Sequence, residues 1–521
     1  MRRNRRDVLF LALFSLMVAA AILLAIRLLA GPFHSALVSV NSPVNAAAVV
    51  AVTFVLLILI RAQRAAATTQ PAGRLWVDLT VLAGATAVAF SPNLRSPFVY
   101  DDYGHILQMS YTTWRALTNL FKPVPGGHAL FFRPIGFAFY WLDYHWAGSH
   151  AVPWHVWNLV AHAANSCLVY LLLRRCGFAR FAACPAALLF AVHGSRAETV
   201  AWVDARFDLQ AAFLALCALL AAMEYARTGR RLWFLPLTVC TALALYTKES
   251  AFCLPFLPLA LLPLVPRAQW RRAFAASLAL FSICAVLFAY RWWAIGGIGG
   301  YHAVWPLRPL HTLEAVLFRQ WAFLLFPVNW STPVEWWLVA AAVAFIAMLM
   351  IYAIRCRASR AGLWAGLAFI FAAVIPVQQL LMFQPDFAGA RVLYLPVAGL
   401  AILWAAMLEH AARSKLARAM AAVLIAFNLA ALEHNLRPWR TTPETAAAVC
   451  RALGQELAKD TRPVFVTGLP NRLDGAYFLS NGFPECVQMN SGQSAARVHL
   501  APFAGRRFVW NPEQGRLEEK E

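Results

Sequence analysis

The chain has 521 residues, 61% of them hydrophobic and only 13% charged, with a mean hydropathy of +0.60. That excludes a soluble globular protein of this size and fits a chain that crosses a bilayer many times. The formal net charge of +21 would point to nucleic acid in a soluble protein. Here arginines in short loops between apolar runs account for it, so no nucleic-acid partner is expected.

Apolar runs long enough to cross a membrane begin at 8–30, 44–61 and 75–92. The start, MRRNRRD and then about 22 apolar residues, is too long for a signal-peptide core and lacks a clear cleavage site. It reads as a retained first span. Arginines before the first run (Arg2, Arg3, Arg5, Arg6) and between the second and third (Arg61, Arg64, Arg74) mark the inner side. The third span then delivers the adjacent Asp101 and Asp102 to the outer side. An outer loop follows over 93–153, and its aromatic stretch ALFFRPIGFAFYWLDYHWAG suits a helix lying in the interface.

Further spans are expected at 154–173, 179–193, 208–226, 232–247, 250–265 and 273–290. Trp154 and Trp157 read as interfacial anchors. Arg174, Arg175 and Arg180, then Arg227, Arg230 and Arg231, then Arg267, Arg271 and Arg272 fall at alternate junctions. The intervening junctions carry Glu198, Asp204, Asp208 and Glu249. The run 313–328 breaks this phase if it spans, so it is read as interfacial or re-entrant. Spans at 334–354, 362–381, 392–409 and 415–433 complete the set. The expectation is an all-α polytopic membrane protein of about 13 transmembrane helices over 1–435. Its N-terminus would be cytoplasmic and its C-terminus extracytoplasmic, most simply in a bacterial inner membrane.

Residues 436–521 are more polar and read as a small α/β extracytoplasmic domain. Thr442-Pro443-Glu444 is a helix start, with a hydroxyl N-cap, proline first and an acid in the first turn; that helix runs to about Lys459. PVFVTGLP and RRFVW read as strands. Of ten cysteines none forms a CxxC or zinc spacing. Cys450 and Cys486, both in this tail, either pair in an oxidising compartment or remain two buried thiols.

The outer junctions gather Asp101, Asp102, Arg133, Glu198, Arg206, Asp208, Lys248, Glu249 and Arg391. Such a set suits group transfer with an anionic leaving group. A carboxylate takes the proton of an attacking hydroxyl, and cations hold the phosphate on which charge grows. A solvated loop or a helix start would also explain the aspartate pair. Adjacent carboxylates suit a divalent metal as well, but no further ligands are evident, so no cofactor is expected. His155, Asn158 and His162 share one face of the fourth span, which suits interhelical hydrogen bonding more than catalysis. For Glu198, Arg206 and Asp208, salt bridging within the loop stands beside substrate contact.

Together these stretches resemble the GT-C membrane glycosyltransferases that use a polyprenyl-phosphate sugar. The nearest group is the transmembrane-and-tetratricopeptide O-mannosyltransferases and their bacterial relatives. The resemblance covers roughly 75–400 and rests on motifs in order: FVYDDYGH, FFRPIGFAFYWLDYHWAG, PWHVWNLVAHAANSCLVYLLL, HGSRAETVAWVDARFDL with His193, TKES, FPVNWS and ARVLYLP. It implies Asp101 as catalytic base with Asp102 in support. Arg133, His155, His162, Glu198, Arg206, Asp208, Lys248, Glu249, Arg391 and Tyr394 would form the donor and phosphate site. Two positions depart from the pattern: Arg196 stands where a histidine is usual, and Ala390 where glutamate is usual. The implied partners are a lipid-linked sugar donor, membrane lipids and an acceptor protein or glycolipid. A flippase for the same lipid is the alternative; it would predict repeat-related halves, and no internal repeat is seen.

Overall fold

The computed structural model describes residues 72–123, 130–300, 309–329, 359–378, 387–411, 415–502 and 504–520, with a few isolated positions nearer the N-terminus. The spans expected at 8–30, 44–61 and 334–354 lie outside the described residues, isolated positions apart. Within them five helices are long and apolar enough to cross a membrane: Leu75–Asn93, Ala151–Arg175, Val203–Thr228, Arg267–Ile295 and Arg360–Val377. Shorter apolar helices occupy Arg180–Val192, Arg231–Leu245, Glu249–Leu264 and Pro396–Glu409. The chain is mostly α-helical, of multi-pass type by the length and composition of these helices, with a C-terminal α/β region.

The elements that matter for the site are α1 (Ala72–Phe90), α2 (Asp101–Tyr111), α3 (Pro134–Ala147), α4 (Ala151–Arg175) and α5 (Arg180–Val192). They continue with α6 (Arg206–Thr228), α7 (Trp270–Ile295), α8 (Arg360–Val374), α9 (Pro396–Ala411) and α10 (Lys415–Leu436). Apart from α2 and α3, these helices contribute apolar residues to one large core that runs from Leu79 through Leu168, Leu216 and Leu254 to Leu403. Charge is segregated by end. Glu224 joins Arg175 at 2.6 Å and Arg227 at 2.9 Å, tying the C-terminal ends of α4 and α6. Asp78, buried on α1, receives a two-pronged Arg180 guanidinium and the Tyr170 hydroxyl at 2.5 Å. The acidic junctions lie at the opposite ends of α4 and α6, beside α2.

Trp154 corrects one expectation. It is fully buried, its indole donates to the Gly148 carbonyl at 3.0 Å, and the Arg206 guanidinium lies 4.4 Å over its ring. It is core, because α3 and the 203–205 turn fold over it. Trp157 instead meets Trp146, which is exposed.

In the C-terminal region, α11 is Pro438–Lys459, β1 Val464–Thr467, α12 Phe483–Ser491, β2 Val498–His499, β3 Arg506–Asn511 and β4 Arg516–Lys520. The sheet order is β2-β1-β3-β4; β1 runs parallel to β2 and β3, and β4 is antiparallel to β3. The helix starts four residues before the expected cap. Pro438 takes the first turn, and Pro443 lies inside the helix. Thr442 is buried and spends its hydroxyl on the Leu473 carbonyl at 3.2 Å instead of capping. Cys450 and Cys486 are paired, which ties α11 to α12. The apolar face of this region is continuous with the loop beside the bundle: Phe478, Phe483 and Val487 share a cluster with Phe98, Tyr103, Ile106 and Trp154.

Candidate active site

Asp101 and Asp102 open α2, where unpaired helical N–H groups favour anions. The two differ in what they do. Asp102 is buried, and both its oxygens are used: Oδ2 accepts from the Val99 N–H at 3.0 Å and Oδ1 from the Asp204 N–H at 2.8 Å. It pins the 98–100 loop to the 203–205 turn. Asp101 is half-exposed. One of its oxygens accepts from the Asn481 amide of the C-terminal region. Between the loop and the helix sits Tyr100, at φ 55° and ψ −123°. That is strained backbone for a residue with a Cβ, and it fixes the direction in which Asp101 leaves the loop.

Two residues outside the expected set complete the cluster. His105, one turn on from Asp101, shares a 2.6 Å hydrogen bond between its Nδ1 and Asp204 Oδ1, which also accepts from the Tyr140 hydroxyl at 2.7 Å. Burial and the negative Asp204 push the Asp101 carboxyl up to about 6, against the pull of His105, Asn481 and Arg391. Burial works against a charged His105, but Asp204, with Asp101 and Asp102, holds its imidazole up to about 9. Asp101 can therefore hold or release a proton near neutrality, beside a fixed imidazolium.

Every cation of the expected site has a carboxylate partner. Arg133 donates to Glu249 Oε2 at 3.1 and 2.8 Å. Lys248 donates to Asp208 at 2.5 Å, both buried. Arg391 donates to Glu198 and, at 3.0 Å, to the Tyr477 hydroxyl. Arg206 bonds Asp143, the Val203 and Trp154 carbonyls and Asn158 Oδ1, so it is a fully engaged staple. Glu249 also meets a second guanidinium: Arg291, at the end of α7, lies 3.6 Å from it. Arg291 is buried; its Nη1 donates to the Ile298 carbonyl and its Nη2 faces Glu249, while its Nε has no hydrogen-bond partner among the described residues. Two guanidiniums thus share the one carboxylate of Glu249. Phe207 packs between Arg133 and His105: the guanidinium lies 5.6 Å over its ring, and the His105 ring is 6.4 Å from it on an edge.

The polar face of α4 goes elsewhere. His155 meets the Ser96 carbonyl at 3.0 Å, and Asn158 donates to the Trp202 carbonyl at 3.0 Å. His162 contacts the Tyr394 hydroxyl at 2.6 Å and the Ala191 carbonyl at 2.9 Å. Of these only the His162–Ala191 bond joins two helices; His155 and Asn158 tie α4 to the loops at Ser96 and Trp202, and none of the three side chains bonds Asp101. Tyr394 is buried, with its carbonyl bound by Arg196. Tyr394 and Asp208 also line a narrow cleft walled by Ala211, Ala215, Ser250 and Ala373. Among the described residues no three His, Cys, Asp or Glu side chains converge as a metal-binding set.

No family model matches the chain. A stretch of 188 residues is 35% identical to protein O-mannosyl-transferase Tmtc1 of Drosophila melanogaster, covering 33% of this chain and 22% of that protein. The chain thus spans under a quarter of that relative's length. Among solved structures, ArnT from Cupriavidus metallidurans bound to undecaprenyl phosphate superposes with a TM-score of 0.43 at 14% identity, covering 84% of this chain and 93% of that one. The archaeal oligosaccharyltransferase AglB from Archaeoglobus fulgidus, with an inhibitory peptide and a dolichol-phosphate, gives 0.43 at 12% identity, over 80% and 64% of the two chains. Superpositions this loose leave the chemistry to be read from the residues above.

His105, Asp204, Arg291 and Asn481 are the side chains that a reading by motif passes over. His105 has a sequence signal, since it lies four positions after Asp101 and shares its helical face. Asp204 and Arg291 carry none beyond their place at a span end. Asn481 is 380 positions from Asp101, and only folding brings it near.

Proposed function

We propose that the chain is an integral-membrane glycosyltransferase that moves a sugar from a polyprenyl-phosphate donor to an acceptor hydroxyl on the outer face of the membrane. The observation that carries the reading is the partly buried Asp101, held near a pKa of 6 beside His105, with Phe207 packed between His105 and Arg133, one of two arginines that share Glu249. Asp101 takes the proton of the acceptor hydroxyl as its oxygen bonds to the anomeric carbon. The bond from that carbon to the phosphate oxygen breaks, and its electron pair leaves on the polyprenyl phosphate. The leaving group needs no proton, only positive charge, which Arg133 and Arg291 supply. Attack from the opposite face inverts the anomeric centre. Asp102 positions the loop. A hexose, mannose first, is the sugar to test, in keeping with the named activity of the fly relative.

The test gives purified protein labelled polyprenyl-phosphate mannose or glucose with membrane extract, beside the Asp101→Asn variant. The variant is expected to lose about 10²–10⁴-fold in rate. Transfer by the variant at the unmodified rate overturns the assignment of the base, and lipid movement without transfer favours a flippase.

A further inference from the structure

The seam between Asp101 and the C-terminal region is nearly all buried, yet the one amide that touches the carboxylate is exposed. Contacts of its own and of its neighbours hold that amide in place. Asn481 Oδ1 accepts from the N–H of Gly482 at 3.2 Å, which fixes which way the amide points and leaves its NH2 for Asp101. Gly482 has φ 72°, and a Cβ there would stand 2.2 Å from the Tyr100 carbonyl oxygen, so the two backbones touch. The Tyr477 ring stacks on Tyr100 at 4.9 Å and 24°, and its hydroxyl takes a hydrogen bond from Arg391. Phe483, next in sequence, is fully buried at the start of α12, which the Cys450–Cys486 bond ties to α11.

We propose that Asn481 is a positioning residue for Asp101: the C-terminal region reaches over the end of the bundle to hold one carboxylate oxygen and turn the other toward the acceptor. The proposal rests on Asp101 acting as the base. A side chain that served only to hold the region down would be expected inside the seam with Phe483, not at its exposed rim against the half-exposed acid. The titratable and charged groups that act on Asp101 are Asp102 and His105 from α2, Asp204 from the 203–205 turn, Arg391 from the 390–393 turn, and Tyr100. Among them Asn481 is the neutral donor that bonds it directly, so its loss leaves those charges in place.

The experiment uses the full chain in lipid nanodiscs, with aspartate labelled at the side-chain carboxyl carbon and the Asp101 signal assigned by its disappearance in Asp101→Asn. Carboxyl titration and the pH dependence of sugar transfer are measured for the unmodified chain, Asn481→Ala and Asn481→Asp. Loss of a hydrogen bond to the charged form raises a carboxyl pKa. Asn481→Ala is expected to move the Asp101 midpoint and the acid limb of kcat upward by about one pH unit, with the KM for the donor unchanged and the rate recovering at high pH. Asn481→Asp places a second carboxylate there and moves both further. An unmoved titration midpoint in Asn481→Ala overturns the proposal, whether or not the donor lipids tested are accepted. A moved midpoint with full transfer by Asp101→Asn overturns the reading of the base instead.

Discussion

At the scale of residues, two adjacent aspartates perform separate tasks because their oxygens meet different donors. Asp102 accepts from two backbone N–H groups in a buried loop. Asp102→Asn puts an NH2 against one of those donors, so it is expected to lower stability by about 1–3 kcal/mol, read by thermal unfolding. Asp101 is raised to about 6 by burial and Asp204. As the base it must be ionised, so kcat is expected to rise as pH passes upward through about 6 and then level off. His105 carries the opposite sign. Despite its burial, Asp204 and its companions raise it from 6.5 to about 9. Its pairing therefore stabilises the fold fully below pH 6.5, and that contribution is lost as pH rises through about 9. The melting temperature should fall across that window, and His105→Gln should flatten the fall. A slope that is unchanged in His105→Gln would assign it to another group.

At the scale of elements, the site depends on how closely α3 approaches the 203–207 segment. Gly136 makes this possible for α3: a Cβ there would meet the Phe207 ring at 2.3 Å and the Thr247 carbonyl at 3.2 Å. The same turn is fixed by the Ile135 N–H bond to the Tyr246 carbonyl at 3.0 Å. Gly136→Ala is expected to push Phe207 aside and separate Arg133 from the aspartates, with transfer falling more than thermal stability does. The end of α7 supplies the second guanidinium. Arg291→Gln keeps hydrogen-bonding atoms but removes the charge, so kcat/KM for the lipid-linked donor should fall about 10²-fold. A donor-independent loss of folding would point to a structural role for the Arg291–Glu249 contact instead.

At the scale of the whole molecule, the C-terminal region shares a hydrophobic cluster with α2 and contributes Tyr477 and Asn481 to the rim of the site. The Cys450–Cys486 bond closes a loop with a sequence separation of 36. In the chain-entropy account its removal costs about 3–4 kcal/mol. The doubly substituted Cys450→Ser, Cys486→Ser chain should therefore release this region at lower denaturant, read by protease cleavage after about residue 436. A disulfide is what an extracytoplasmic position of this region, as we propose, would permit. An alkaline phosphatase fused after Glu521 should be active in the bacterial host and a fluorescent protein there dark; the reverse result would invert the orientation we propose.

The positions of the described apolar helices were legible in the sequence, because length and hydropathy decide a spanning helix almost locally. So were the strands at Val464–Thr467 and Arg506–Asn511 and the helix that ends at Lys459. Its start was misread, since Pro443 looks like a first-turn proline until Pro438 is seen to hold that place. The sequence also set which charges are available at the end near α2. It could not say how they pair. Arg206 as a staple, Trp154 as core, the closed Cys450–Cys486 bond and Arg291 as a partner of Arg133 all depend on distances between segments far apart in the chain. The division between Asp101 and Asp102 is of the same kind. A one-residue offset at a helix start sends one carboxylate to the Val99 and Asp204 amides and leaves the other to Asn481. That outcome is fixed by the strained turn at Tyr100 and by the C-terminal region packed against it.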